Sequence, residues 1–157
     1  MPFMPTGWVP SPRRVTSFPV SPIEGTQVRI PDVGTFIYTQ GRWVGTSGSD
    51  VVLPYAVGVA VQKAVTAVGG EVVLTNRAVH LQSTGVVLAI VDSFAVVRRD
   101  GIVPGFVGLS DGDRLFVGSD PGSIQVGGLA PSSRIIPIGW AMPAGEIMVH
   151  LYEPKGT

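Results

Sequence analysis

Residues 71–107 read EVVLTNRAVHLQSTGVVLAIVDSFAVVRRDGIVPGFV. Four apolar bursts, "EVVLT", "GVVLAIV", "FAVVRR" and "GIVPGFV", contain most of the Val and Ile. Between them stand turn-forming residues: Asn76-Arg77, Ser83-Thr84-Gly85 and Asp100-Gly101. β-branched side chains lose χ1 freedom in a helix and fit the pleated surface of a strand. Asp-Gly between apolar runs is a strong hairpin signal, because glycine accepts the positive φ that such turns require. The stretch predicts short strands joined by tight turns.

The pattern continues to the C-terminus in "DRLFVG", "SIQVG", "RIIPIGWAM" and "EIMVHLYE". Turn signals again separate the bursts, at Asp111-Gly112, Asp120-Pro121-Gly122 and Pro143-Ala144-Gly145. Short strands at this spacing predict an all-β fold, a small compact barrel or sandwich (β-tulip-like), and not βαβ units. Residues 50–68 are ambiguous. Val57, Ala60, Val61, Ala64, Val65 and Val68 fit a helical stripe, whereas Val57, Val59, Val61 and Val65 fit one face of a strand. Pro54 and Gly58 oppose a helix, so strands are the favoured reading, with Gly69-Gly70 as a two-residue turn. A short helix over 56–67 is the alternative.

Further toward the N-terminus, "GTFIYTQGRWVGTSGS" (34–49) alternates, turns at Gln40-Gly41 and returns, which predicts a small hairpin followed by a flexible joint. Residues 1–31 hold seven of the fourteen prolines. Proline fixes φ and removes a donor, so this segment is expected to be extended. It also carries Phe3, Trp8, Val9, Phe18, Val20 and Ile23. A solvated linker has no use for such groups. The favoured reading is an arm laid on another surface, a neighbouring subunit above all. The alternative is an arm folded back over its own domain. The expected organisation is an arm over 1–33, a hairpin and joint over 34–49, and a β-barrel or sandwich over 50–157.

Only 14% of the 157 residues are charged, while 45% are hydrophobic. A chain with so few charges is expected to hide much of its surface against partners. Its eleven basic and eleven acidic residues cancel, which gives no field for nucleic acid or an anionic membrane. Nine of the eleven basic residues are Arg, suited to fixed polar contacts. The absence of cysteine excludes disulfides and thiolate metal sites. The N-terminus lacks the continuous apolar stretch of a signal peptide, and "VVLPYAVGVAVQ" is too short to span a bilayer.

The residues that could carry chemistry give little. Asp111, Asp113 and Asp120 lie within ten positions, but an EF-hand count from Asp111 puts Gly122 where a Glu is required. They read as turn formers, since Asp side chains accept backbone N–H bonds nearby. His80 and His150 stand singly in apolar runs, with no H-E-x-x-H spacing. No serine lies in a G-x-S-x-G elbow, and no glycine loop is followed by Gly-Lys-Ser/Thr. The expectation is a non-enzyme with no catalytic, cofactor or metal residues. Arg98-Arg99-Asp100 reads as a hairpin tip with outward charges, and Arg13-Arg14 as a doublet that meets an acidic neighbour. Trp140 reads as core. Trp8 and Trp43, outside the main pattern, read as interface anchors.

Three segments then stand in a familiar order: "AVTAVGGEVVLTNRAVHLQSTGVVLAIVDSFAVVRRDGIV", "GLSDGDRLFVGSDPGSIQ" and "IIPIGWAMPAGEIMVHL". Over residues 64–152 the chain resembles small all-β structural modules of tailed bacteriophages, including head decoration (cement) proteins and related fibre or spike modules. The matching positions are Gly112-Asp113-Arg114-Leu115-Phe116, Gly122, Ile138-Gly139-Trp140-Ala141 and Ile147-Met148-Val149-His150-Leu151. The resemblance implies a capsid decoration protein, made in the host cytoplasm, that sits on the virion as a homotrimer and clamps neighbouring major capsid protein subunits. Phe3, Trp8, Arg13, Arg14, Phe18 and Trp43 are the expected contact residues. The alternatives are a head-fibre, spike or tail module, or a carbohydrate-binding β-domain that stacks Tyr38, Trp43 and Tyr55 on sugar rings. No nucleic acid, membrane or small-molecule substrate is expected as a partner.

Overall fold

A computed structural model describes residues 12–127 and 135–151. Among these the chain forms fourteen strands and no α-helix. They are β1 (Arg13–Arg14), β2 (Gln27–Ile30), β3 (Gly34–Thr39), β4 (Arg42–Gly45), β5 (Asp50–Pro54), β6 (Ala64–Val68) and β7 (Glu71–Leu74). Then follow β8 (Gly85–Val91), β9 (Phe94–Arg98), β10 (Asp100–Val103), β11 (Arg114–Val117), β12 (Ile124–Val126), β13 (Pro137–Met142) and β14 (Glu146–His150). One sheet has nine strands in the order β1-β2-β3-β4-β5-β9-β8-β6-β7, the other five in the order β10-β14-β13-β11-β12. Pairing within the sheets is antiparallel except between β1 and β2.

The fold is all-β, as the alternation predicts, and of the two architectures expected it is the two-sheet one. The larger sheet curls until β7 returns to Tyr55, just beyond β5, through an isolated bridge between Tyr55 and Val72. The Ala56 amide donates to the Val72 carbonyl at 2.9 Å beside it. One bridge does not close the sheet, so there is no barrel.

Three cores explain why the middle strands are apolar throughout. Side chains of a strand alternate between its faces, so a strand covered on both faces reads as a continuous apolar run. On β5, Val51 and Leu53 face one core and Val52 another. On β9, Ala95 and Val97 face the first and Val96 the second. β8 serves all three: Val86 packs with the five-stranded sheet, Val87 with the inside of the curl, and Val91 with the N-terminal strands. The five-stranded sheet contributes Val103, Leu115, Val117, Ile138, Ala141, Ile147 and Val149 to its core.

Local chemistry sets the hairpins. Gln40-Gly41 and Gly69-Gly70 have φ of 53° and 82°, and 61° and 81°, the double positive φ of a tight turn matched to strand twist. Asp120-Pro121-Gly122 and Pro143-Ala144-Gly145 join paired strands as expected. Residues 56–63 form two turns and irregular backbone leading into β6, so the helical alternative is not realised. Asp100-Gly101 departs from expectation. β9 does not pair with β10, and the dipeptide opens β10 where the chain passes from one sheet to the other. Gly101 does use a positive φ, 120°, but for a sheet change and not for a hairpin.

β2, β3 and β4 are strands of the larger sheet, continuous with β5. The sheet thus runs through the residues expected to form an arm and a separate hairpin.

Candidate interaction surface

Phe18 decides how the N-terminal segment is held. Its ring is buried, 5.2 Å from Phe36, 5.2 Å from Trp43 and 5.7 Å from Phe94 by centroid distance. Aromatic pairs at these separations gain edge and tilted contacts beyond area burial. Tyr38 adds an edge contact to Trp43 at 5.4 Å. The expectation that Phe18 and Trp43 anchor a foreign surface is therefore corrected. Trp43 is 4% exposed and Phe18 6%, and both serve the chain's own core. The burial also removes Trp43 as a face for a sugar ring, while the Tyr55 hydroxyl donates to the Asp92 carbonyl at 3.2 Å. Trp140, expected in the core, is half-buried on the outer face of the five-stranded sheet, 6.0 Å from the His150 ring. Sequence context alone does not tell which tryptophan faces inward.

Arg13 and Arg14 are exposed and form β1, the edge strand, parallel to β2. The register sets Arg13 beside Val28 and Arg14 beside Arg29. The Val15 amide donates to the Arg29 carbonyl at 2.9 Å and extends the pairing by one bond. Arg29 is exposed because it alternates with buried Val28 and Ile30. Arg14 and Arg29 thus stand side by side at one edge, with Arg13 on the next position of β1, and none of the three forms an ion pair among the described residues. Like charges on adjacent strands repel, so this edge favours an acidic neighbour.

Between β1 and β2 the chain makes an outward loop. Val20 is 94% exposed and Ile23 79%. The loop is nonetheless fixed. The Glu24 carboxylate accepts from the Thr39 hydroxyl at 3.0 Å and from the Gln40 amide at 3.1 Å, and Gly25 N–H donates to the Tyr38 carbonyl at 2.8 Å. A buried aromatic plug, an exposed apolar loop and an arginine edge therefore sit together. Phe3 and Trp8, also expected as contacts, lie outside the described residues.

Several polar and charged groups elsewhere have structural partners. Arg98 does not sit at a hairpin tip. Its Nε and Nη2 donate to Asp50 at 2.9 and 2.8 Å, and Nη1 donates to the Ile102 carbonyl at 2.7 Å. The hydrogen bond to Asp50 raises the Arg98 pKa, desolvation opposes this, and the Asp50 charge adds to it. Sequence reasoning missed this pair because 48 residues separate its members. The Asp113 carboxylate accepts from the Ser110 amide at 2.9 Å, and the Asp120 carbonyl accepts from the Ser123 hydroxyl at 2.7 Å. Buried Thr75 and Ser83 join Thr66 in a hydroxyl chain that ends on the Val65 and Gly85 carbonyls. His80 Nδ1 accepts from the Asn76 amide at 2.8 Å. No group of three or more His, Cys, Asp or Glu could hold a metal ion among the described residues. A groove of about 800 Å3 runs between the sheets, lined in part by Arg42, Leu81, Arg99, Ile135 and Leu151.

Comparison with protein-family models, curated proteins and solved structures finds no match.

Proposed function

We propose that the chain is a virion structural protein, a decoration or cement protein that binds the outer surface of a bacteriophage head as a homotrimer and bridges neighbouring major capsid subunits. The reading is non-enzymatic and needs no cofactor, nucleic acid, membrane or small-molecule substrate. One observation carries it: the root of the N-terminal segment is locked by Phe18, while Val20, Ile23, Arg13, Arg14 and Arg29 point outward beside it. Burying Val20 and Ile23 against a partner contributes roughly 2 kcal/mol each at ~25 cal/mol per Å2. The arginines add charge complementarity toward an acidic surface and raise the rate of encounter. Strand pairing holds Arg13, Arg14 and Arg29, and the bonds of Glu24 and Gly25 to β3 and its turn tie down the loop of Val20 and Ile23, which limits the entropy lost on docking. Repetition over many copies turns modest contacts into strong retention.

The test is addition of purified protein to expanded heads that lack it. Binding at a stoichiometry of three copies per site, with a rise in the melting temperature of the heads, supports the reading. Heads that neither bind the protein nor gain stability overturn it. Density on a neck, fibre or tail in electron micrographs of labelled virions moves the assignment to a head-fibre, spike or tail module.

A further inference from the structure

The five-stranded sheet has one face in the core and one face outside. Alternation turns Val103, Leu115, Ala141, Ile147 and Val149 inward. The intervening residues turn outward, and they are not the polar set usual for a solvated face. Ile102, Met148, Trp140 and Arg114 are paired across β10, β14, β13 and β11 in one unbroken row. Phe116 and Met142 lie on either side of it. Ile102, Phe116, Trp140, Met142 and Met148 are half-buried, and none belongs to any of the three cores.

The charges around this row are polarised. Arg114 stands on β11, on one side of the central strand β13. Glu146 stands on β14 and Asp100 on β10, on the other side. Asp100 lies 3.7 Å from His150, whereas Arg114 and Glu146 have no ion pair among the described residues. A Trp and Met centre rimmed by Arg114, Glu146 and the Asp100–His150 pair has the composition of a protein interface. One flank is basic and the other acidic, so the face complements itself: the basic flank of one copy matches the acidic flank of the next.

We propose that this outer face is where copies of the chain meet, with Trp140 at the centre and Arg114 of each copy against Glu146 of its neighbour. The inference rests on the homotrimer of the proposed function and names the face that builds it. The face measures roughly 20 by 17 Å, from a strand spacing of about 4.8 Å and a rise of about 3.3 Å per residue. That footprint falls short of the roughly 800 Å2 that a standard interface takes from each partner, so an isolated pair would be weak. A head-to-tail contact that closes into a ring of three holds every copy by both flanks.

The experiment measures the mass of the full chain by sedimentation over a wide concentration range. The wild type is compared with Arg114→Glu, Glu146→Arg, the double reversal and Trp140→Ser. The expected result is a wild-type trimer, a rise of tenfold or more in the dissociation constant for each charge reversal, recovery in the double reversal, and monomers for Trp140→Ser. Mixing the two single reversals should also restore one contact per mixed pair. A wild-type trimer that survives both single reversals and Trp140→Ser overturns the inference and leaves the capsid reading standing. A trimer that behaves as expected but never binds heads supports the inference and removes the capsid reading. A wild type that is monomeric at every concentration overturns both the inference and the homotrimer.

Discussion

Arg98 and Asp50 form a two-pronged ion pair across β9 and β5, with bonds of 2.9 and 2.8 Å, at the point where the chain leaves one sheet for the other. The third prong, Nη1 to the Ile102 carbonyl, ties the pair to β10. One side chain therefore joins two strands of the larger sheet to an edge strand of the smaller. Asp50 is 5% exposed. Removing Arg98 strands its charge, which is costlier than removing both partners. Arg98→Ala is expected to lower stability by about 3 kcal/mol, while Asp50→Leu with Arg98→Met recovers most of that loss. Arg98→Lys keeps the charge but loses the fork. Urea unfolding of the four proteins checks the order.

The same pair fixes an expectation for pH. The Arg98 pKa is raised above its ordinary value, chiefly by the hydrogen bond that it donates to Asp50. A raised pKa on a base gives stability that is complete below the ordinary value and lost only as pH rises through the folded one. For an arginine that window lies at strongly alkaline pH. Arg98 titration therefore contributes no slope between about pH 6 and 9, where arginine stays protonated. Thermal melts across that range, comparing wild type with Arg98→Met/Asp50→Leu, should change in parallel.

Gly139 has φ 155°, and a Cβ there would overlap the Met148 carbonyl oxygen on the adjacent strand. The pairing of β11 with β13 shifts register at the same point, so the bulge needs a residue without a side chain. Gly139→Ala is expected to cost about 3 kcal/mol, the upper end for local backbone strain. Gly70, with φ 81° and nothing within 4 Å of its Cβ position, pays only for the left-handed conformation. Gly70→Ala is expected to cost about 1 kcal/mol. Melting temperatures of the two variants should separate clearly.

Phe18→Ala removes the ring that meets Phe36, Trp43 and Phe94. Large-to-small changes of this kind cost about 3–5 kcal/mol. The N-terminal strands should loosen before the rest unfolds. Limited proteolysis should cut between residues 15 and 26 in the variant under conditions that leave the wild type intact.

Arg14→Ala relieves the crowding beside Arg29. The isolated protein should gain a few tenths of a kcal/mol at low salt, in line with the size of cross-strand charge effects. Under the proposed capsid role, binding to phage heads should weaken by about tenfold, a 1.4 kcal/mol loss, and lose part of its salt dependence. Titration of heads with both proteins at two ionic strengths distinguishes these effects.

From residue 71 onward the strands were legible because Val-rich bursts and turn residues report local conformation directly. Gln40-Gly41 and Gly69-Gly70 were legible for the same reason. Pairing partners were not. Asp100-Gly101 encodes a positive φ, yet nothing local says whether the next strand joins the same sheet or another. The turn at Asp92-Ser93 was missed because Asp92 supplies the positive φ, 52°, without a following glycine. Burial was illegible where an aromatic sits in a short alternating strand. Trp140 reads as core and Trp43 as an anchor, yet Phe18 and its neighbours bury Trp43 while Trp140 stays half-buried. Of the expected contact residues among those described, Arg13 and Arg14 are exposed at an edge, whereas Phe18 and Trp43 are buried and the loop beside them exposes Val20 and Ile23.

Because β8 lines all three cores at once, the cores of the wild-type chain are expected to lose their packing together. A defect at Val87 or Val91 is transmitted to both of its neighbours, and calorimetry of the intact chain should record one sharp endotherm in place of a staircase. Under the proposed capsid role, each subunit would then join the shell either whole or not at all.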